Sequence, residues 1–458
     1  MRLSVLACFV LAPWLGGPTW AAERFEACAD ASAHPALACS TCRREALPLR
    51  HEAPGEGAIE VFVRRIPAAS PGARRGEVWL IAGGPGESGV AFHPLLATFR
   101  AAFPDHDLVL PDHRGTGRST RLCPAQEAAD SADGVSLAGE EWGPCIGALH
   151  AEPARTAAFT ITQAAQDLST LITRHRRAGE VRVYAVSYGT QLALRMLQVA
   201  PVPLDGLVLD GLVPPESAAH WDLSRRTAVV DAVGRALLGA DGVAAYQALL
   251  AGDPNAGWRT GVPGGDLRRT LGALLNFPAL RARIPAILDA LSRDDTTWLQ
   301  NALADLQAIH SGLTADPYAP PSLPLVMLIS ASENNDRRGL DAATVEAEAQ
   351  DALFTSPIPG FLAATALPLY PRDRFFGGMP AALPPTLVVH GTLDPNTPYA
   401  GALAQVEALR RIGPVRLSTV DAGAHLLAYV APHCFVAATT AFLDGTEPAA
   451  RCTEPASP

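Results

Sequence analysis

Residues 181–197 run Val-Arg-Val-Tyr-Ala-Val-Ser-Tyr-Gly-Thr-Gln-Leu-Ala-Leu-Arg-Met-Leu. Val181 to Val186 is a β-branched and apolar run of strand length, and from Tyr188 onward apolar residues recur at helical spacing. That leaves Ser187 alone to make the turn. A serine on so tight a strand-to-helix turn projects its hydroxyl above the end of a sheet. Strand and helix must then pass closely, which calls for small residues two positions before and two after the serine. Ala185 and Gly189 stand there. Glycine is usual at the first of these positions, and alanine is small enough to serve.

The same alternation continues outward. Short apolar runs bounded by Gly, Pro or Asp predict strands over Ala58–Val63, Glu77–Ala82, Leu108–Pro111, Gly206–Asp210, Thr386–His390 and Val415–Val420. Helical patterns cover Ala164–His175, Tyr188–Val199 and Cys434–Leu443. Strands alternating with helices indicate a mostly parallel α/β sheet. Between Asp210 and Thr386 the pattern becomes Ala/Leu/Arg-rich helix, entered through Pro214-Pro215 and left through a Pro-rich stretch from Pro368 to Pro385. The expected organisation is a core over residues 22–214, an inserted helical cap over 215–375, and the rest of the core over 376–458.

A serine hydroxyl is a weak nucleophile at neutral pH and needs a histidine base held by a carboxylate. The strand ending at His390 leads into Gly391-Thr392-Leu393-Asp394, and after one more strand Asp421-Ala422-Gly423-Ala424 leads to His425. Ser187, Asp394 and His425 occur in the order of an α/β-hydrolase fold, a mostly parallel sheet flanked by helices with a helical cap inserted. A neutral histidine base predicts activity rising through about pH 6 to 7. The developing oxyanion needs two backbone donors. One is the amide of Tyr188. The other belongs to the loop Gly83-Gly84-Pro85-Gly86-Glu87-Ser88-Gly89 and is assigned to Gly84, with Gly83 or Gly86 as alternatives.

Gly84, Gly86 and Gly89 also fit a dinucleotide-binding loop, with Asp105 or Asp107 about 20 residues further on. Pro85 beside the close-approach glycine disfavours that reading, and the serine, aspartate and histidine would go unexplained. No cofactor or metal is expected.

The motifs Gly83-Gly84-Pro85-Gly86, Asp112-His113-Arg114-Gly115-Thr116-Gly117-Arg118-Ser119 and Val186-Ser187-Tyr188-Gly189, with the Asp394 and His425 loops, resemble the prolyl and tripeptidyl aminopeptidase group of α/β-hydrolases, particularly secreted bacterial members. The resemblance spans nearly all of the chain after its leader. It implies release of N-terminal residues or short peptides, hence a peptide substrate with a free N-terminus. Departures from the family pattern are Ala82, Ala185 and Glu87. A free α-ammonium calls for a carboxylate. Glu333, closing a strand-like run in the insert, is the first candidate and Glu87 the second. Asp112 and Arg114 are expected to form a buried pair behind the oxyanion loop. The same triad would equally serve an esterase or lipase, and a degenerate fold of this kind could be a binding protein.

All 36 basic residues are arginine, which excludes pyridoxal Schiff bases, P-loop phosphate lysines and Ser/Lys dyads. Net charge is −10 with no basic block, so nucleic-acid binding is not expected. Met1-Arg2, an apolar run from Leu3 to Leu15 and the small-residue pattern ending at Ala21 read as a secretory signal over residues 1–21. Cleavage there predicts a secreted or periplasmic protein with no membrane association and with disulfides. Cys123 with Cys145 and Cys434 with Cys452 would close loops of about 20 residues, each worth about 3 kcal/mol. Cys28 would pair with Cys39 or Cys42, leaving one thiol over. Cys39-Ser40-Thr41-Cys42 lacks the strand-then-helix frame of a redox site.

Overall fold

A computed structural model describes residues 24–455 apart from residue 138; the leader expected over residues 1–21 lies outside them. Among the described residues, ten strands form one sheet: β1 Glu26–Ala27, β2 Thr41–Pro48, β3 Ala58–Ile66, β4 Gly76–Ile81, β5 His106–Asp112, β6 Glu180–Val186, β7 Gly206–Asp210, β8 Thr386–Gly391, β9 Val415–Asp421 and β10 Arg451–Thr453. Their order is β1-β2-β3-β5-β4-β6-β7-β8-β9-β10. The first three strands and β5 pair antiparallel, and from β5 through β10 every pairing is parallel. This is the α/β-hydrolase fold, with β6 at the centre and Ser187 at its C-terminal end.

Both faces of the sheet are covered, so the central strands are predominantly apolar yet still sort their side chains with period two. Trp79, Ile81, Val183, Ala185, Leu207 and Leu209 enter one core with the helices Ile161–His175 and Tyr188–Val199. Val78, Leu80, Tyr184, Val186 and Val208 enter the other, against the helices Leu96–Ala102 and Pro432–Leu443.

β1 and β10 are too short, at 2 and 3 residues, to show an alternation, and β2 escapes the sequence pattern for a different reason. β2 carries Arg43, Arg44 and Glu45 near the sheet edge, where Glu45 binds Arg43 at 2.6 Å and Arg174 at 2.6 Å. Its charges are paired within the strand and with the distant Arg174, so no apolar alternation marks it.

Between β7 and β8 the chain is helical, and much of it builds a core of its own around Tyr246, Trp258, Leu271, Ile287 and Phe354. One segment behaves differently. Leu323–Ser332, expected as a strand-like run, is a helix with Pro324 in its first turn. Apolar all round, it gives no period to distinguish it from a buried strand. Its Leu325, Leu328 and Ile329 pack into the main core rather than the insert's.

Disulfides join Cys28 to Cys42, Cys123 to Cys145 and Cys434 to Cys452. Cys28 therefore takes Cys42 of the two partners left open. Among the described residues, no helix is long and apolar enough to cross a membrane.

Candidate active site

Ser187 has φ 55° and ψ −127°, a conformation that costs an L-residue free energy and persists only where the surroundings enforce it. The enforcement is visible. Its amide donates to the Asp210 carbonyl at 2.9 Å, and the helix begins at the next residue. A Cβ at Gly189 would lie 2.6 Å from the carbonyl oxygens of Ile81 and Ala82, so only glycine lets the helix pass this close to β4. Tyr188, as first residue of the helix, has no carbonyl one turn back, and its N–H stays available beside the serine.

Asp394 and His425 meet on loops after β8 and β9. His425 Nδ1 lies 2.7 Å from Asp394 Oδ2. A carboxylate only accepts, so Nδ1 donates and Nε2 keeps its lone pair. The other Asp394 oxygen accepts from the amides of Asn396 and Thr397 at 2.7 and 2.9 Å, while the Thr397 hydroxyl donates to Oδ2 at 2.7 Å. Burial would raise the Asp394 carboxyl, but the His425 charge and hydrogen bond, His390 and the Thr397 amide together hold it well below the usual carboxylate range. Burial would lower His425, but the charge and hydrogen bond of Asp394 and the charge of Asp210 raise it.

Two residues fix these loops. Asp210, at the end of β7, accepts from the amides of Leu427 and Ala428 at 3.0 Å each and from the Tyr184 hydroxyl at 3.0 Å. Arg281, from the insert, donates to the Leu393 carbonyl at 3.1 Å and to the Ala422 carbonyl, joining the aspartate loop to the histidine loop.

The glycine loop after β4 lies against the elbow: a Cβ on Gly83 would be 3.1 Å from that of Ser187. Gly84 has φ +80°. The insert supports this loop through the Ser322 amide, which donates to the Gly86 carbonyl at 2.9 Å. Asp112 and Arg114 are both buried there but do not pair with each other. Asp112 accepts from the amides of Gly89 and Arg118 at 2.9 and 2.8 Å, whereas Arg114 forks onto Asp167 at 2.6 and 2.7 Å. The helix Ile161–His175 supplies the guanidinium's partner, which no local spacing could reveal.

The profile described as alpha/beta hydrolase fold matches residues 78–236, and the one described as TAP-like protein matches residues 366–453. The chain belongs to the TAP-like α/β-hydrolases. No curated protein sequence is significantly similar to it. Among solved structures, this TAP-like hydrolase is similar to a malate-bound thermophilic esterase from Thermogutta terrifontis, at 16% identity over 88% of this chain and 98% of that one, TM-score 0.39. It is also similar to the proline iminopeptidase of Mycobacterium smegmatis (15% identity, 88% and 98% covered, TM-score 0.40). A third is the haloalkane dehalogenase DbeA of Bradyrhizobium elkani USDA94 (15%, 89% and 98%, TM-score 0.41). These likenesses say nothing of substrate.

In this TAP-like hydrolase a cavity of about 360 Å³ opens over the elbow, lined by Ser187, Tyr188, Gly84 and His425 together with residues of the insert. Val326, Ser330 and Asn334 reach it at successive turns of the helix Leu323–Ser332 and the residues just beyond it. Glu333 does not. Its carboxylate accepts from the Tyr370 hydroxyl at 2.8 Å and the Ile161 amide at 3.1 Å, with Arg195 at 3.8 Å. Burial pushes its pKa up to about 7 against these partners. The expected ammonium site at Glu333 is therefore displaced, because in a helix position 333 points away from the stripe 326, 330, 334.

Glu87 does line the cavity. Burial raises its carboxyl, opposed by the charge of His425 and the Gly83 amide, and among the described residues it forms no ion pair. Glu216, Asp222, Arg226 and Trp221 line the cavity too and were not singled out from sequence. Their signal was the Pro214-Pro215 connector leaving β7, which carries the chain directly over the elbow. Glu216 is neutralised by Arg195 at 2.8 Å.

Proposed function

We propose that the chain is an exported serine aminopeptidase. The observation that carries this reading is His425, held by Asp394, lining one cavity with the strained Ser187, beside a carboxylate, Glu87, that has no ion pair among the described residues. His425 Nε2 takes the Ser187 proton as Oγ attacks the peptide carbonyl. The Tyr188 and Gly84 amides receive the oxyanion. The imidazolium returns the proton to the leaving amine, and water then resolves the acyl-enzyme by the same base. Glu87 holds the free α-ammonium of the substrate, whose charge supplies the counterion that none of the described residues provides. Three disulfides and the absence of a membrane-crossing helix among the described residues are compatible with export.

The test compares an aminoacyl-arylamide with its N-acetylated form. The expected result is hydrolysis of the free amine alone, lost in Ser187→Ala, with a fluorophosphonate labelling Ser187. Glu87→Gln should raise KM for the free amine about tenfold or more. Equal turnover of both forms would replace the aminopeptidase reading with an esterase-type hydrolase, and full activity in Ser187→Ala would remove the mechanism.

A further inference from the structure

Arg226 is the first residue of the helix Arg226–Ala251 and is 8% exposed. Other deeply buried arginines have carboxylate partners: Arg64 with Asp30 at 2.6 Å, Arg65 with Glu77 at 2.6 Å, Arg114 with Asp167 at 2.6 Å and Arg195 with Glu216 at 2.8 Å. Arg281 spends its guanidinium on two carbonyls. Arg226 has one bond, from Nη1 to Asn396 Oδ1 at 3.0 Å, and its Nε is buried without a partner. Among the described residues no carboxylate comes within ion-pair distance of it. Asp394 is committed to His425 and Thr397, and Asp222 accepts from the Ser224 amide at 2.9 Å.

A guanidinium without an ion pair in such a place is expensive, because burial removes its hydration and the single bond to Asn396 returns only part of the loss. Its position sharpens the cost, since the first turn of a helix carries the positive end of the dipole and disfavours a cation. Burial lowers its pKa to about 10, with Asp394 and Asp222 pulling the other way, so it remains charged at neutral pH. The group lines the same cavity as Ser187 and His425. A planar guanidinium that lines the cavity and spends only one N–H on a protein partner matches a carboxylate, which can accept two parallel hydrogen bonds from such a fork.

We propose that Arg226 binds a carboxylate of the substrate, so that this cavity selects short peptides carrying one. The proposal rests on the hydrolase reading of the cavity. The carboxylate comes either from the C-terminus of a short peptide or from an acidic side chain. With Glu87 on the oxyanion loop, the cavity then offers groups of both signs without ion pairs among the described residues to a substrate carrying both.

Two substrate pairs separate the sources: trialanine against trialanine amide, and glutamyl- against glutaminyl-arylamide. The full chain is expected to favour the carboxylate member of one pair by about 30-fold or more, chiefly through KM. In Arg226→Gln that ratio collapses, and in Arg226→Lys it is partly kept. Arg226→Met, which removes a buried charge without a partner, is expected to melt at or above the parent protein. Equal losses on both members of each pair, no preference in the parent, or a much lower melting temperature for both Arg226→Gln and Arg226→Met would each make Arg226 structural and overturn the proposal. Calorimetric binding of the same probes to Ser187→Ala keeps this question apart from the aminopeptidase reading. Carboxylate-selective binding lost in Ser187→Ala/Arg226→Gln supports the proposal even if N-acetylated substrates are cleaved as well as free ones. Binding blind to the carboxylate overturns it whatever is hydrolysed.

Discussion

Folding raises His425 because the negative charges of Asp394 and Asp210 outweigh the cost of burying its cation. A base must be neutral, so a raised pKa leaves less of it active at a given pH, and kcat/KM should rise with pH through a midpoint above the ordinary histidine value of about 6.5. The rise expected from sequence, through about pH 6 to 7, is thus displaced upward by partners that the sequence does not reveal. Asp394→Asn should lower kcat by about 10⁴-fold and move the midpoint down, measured as a pH profile on one arylamide. Glu333 acts on stability instead. Its folded pKa of about 7 stands above the ordinary carboxyl value of 4.5, so the folded state keeps a proton that the unfolded chain has released. That contribution is fully present below about pH 4.5 and is lost as pH rises through about 7, at no more than about 1.4 kcal/mol per pH unit. Thermal melts of Glu333→Gln should therefore gain on the parent protein as pH rises across that window.

At the scale of elements, the elbow could be read from sequence because the signals that announce it are local, even though the contacts that hold it, with Asp210, Ile81 and Ala82, are not. Strand run, single turn residue, small neighbours and helix start fall within residues 181–197. Gly189→Ala tests the closest of these contacts. A Cβ 2.6 Å from two backbone carbonyls cannot be absorbed by a rotamer change, so strand and helix must separate. The expected outcome is a loss of about 1–3 kcal/mol in denaturant unfolding and loss of Ser187 labelling. The helix Leu323–Ser332 shows the opposite case. Its residues carry no amphipathic period, so neither its conformation nor its cavity-facing stripe could be distinguished, and Glu333 was placed on the wrong side. Arg281 was equally hidden, since its bonds to Leu393 and Ala422 cross from the insert to two separate loops. Arg281→Ala should lower kcat more than it raises KM, because it loosens the aspartate and histidine loops without lining the cavity.

At the scale of the molecule, the disulfides bind segments that the sheet alone holds weakly. Cys434–Cys452 ties the helix Pro432–Leu443 to the short edge strand β10, and Cys123–Cys145 closes the long connection between β5 and the helix Ile161–His175. Replacing Cys123 and Cys145 together by serine should cost about 3 kcal/mol, read as a lower melting temperature that added reductant no longer changes as much. The alternation of strands and helices, the serine elbow, the order Ser187, Asp394, His425 and two local cysteine pairs were determined by the sequence alone. Each depends on residues close in the chain or on a fixed succession of elements. Only the tertiary structure decided which charges are neutralised. Arg114 found Asp167, and Arg195 found Glu216 and, at 3.8 Å, Glu333, leaving Glu87 and Arg226 beside the nucleophile without ion pairs among the described residues. An ion pair is set by proximity in space after burial, and segments far apart in the chain meet there without any spacing that announces it.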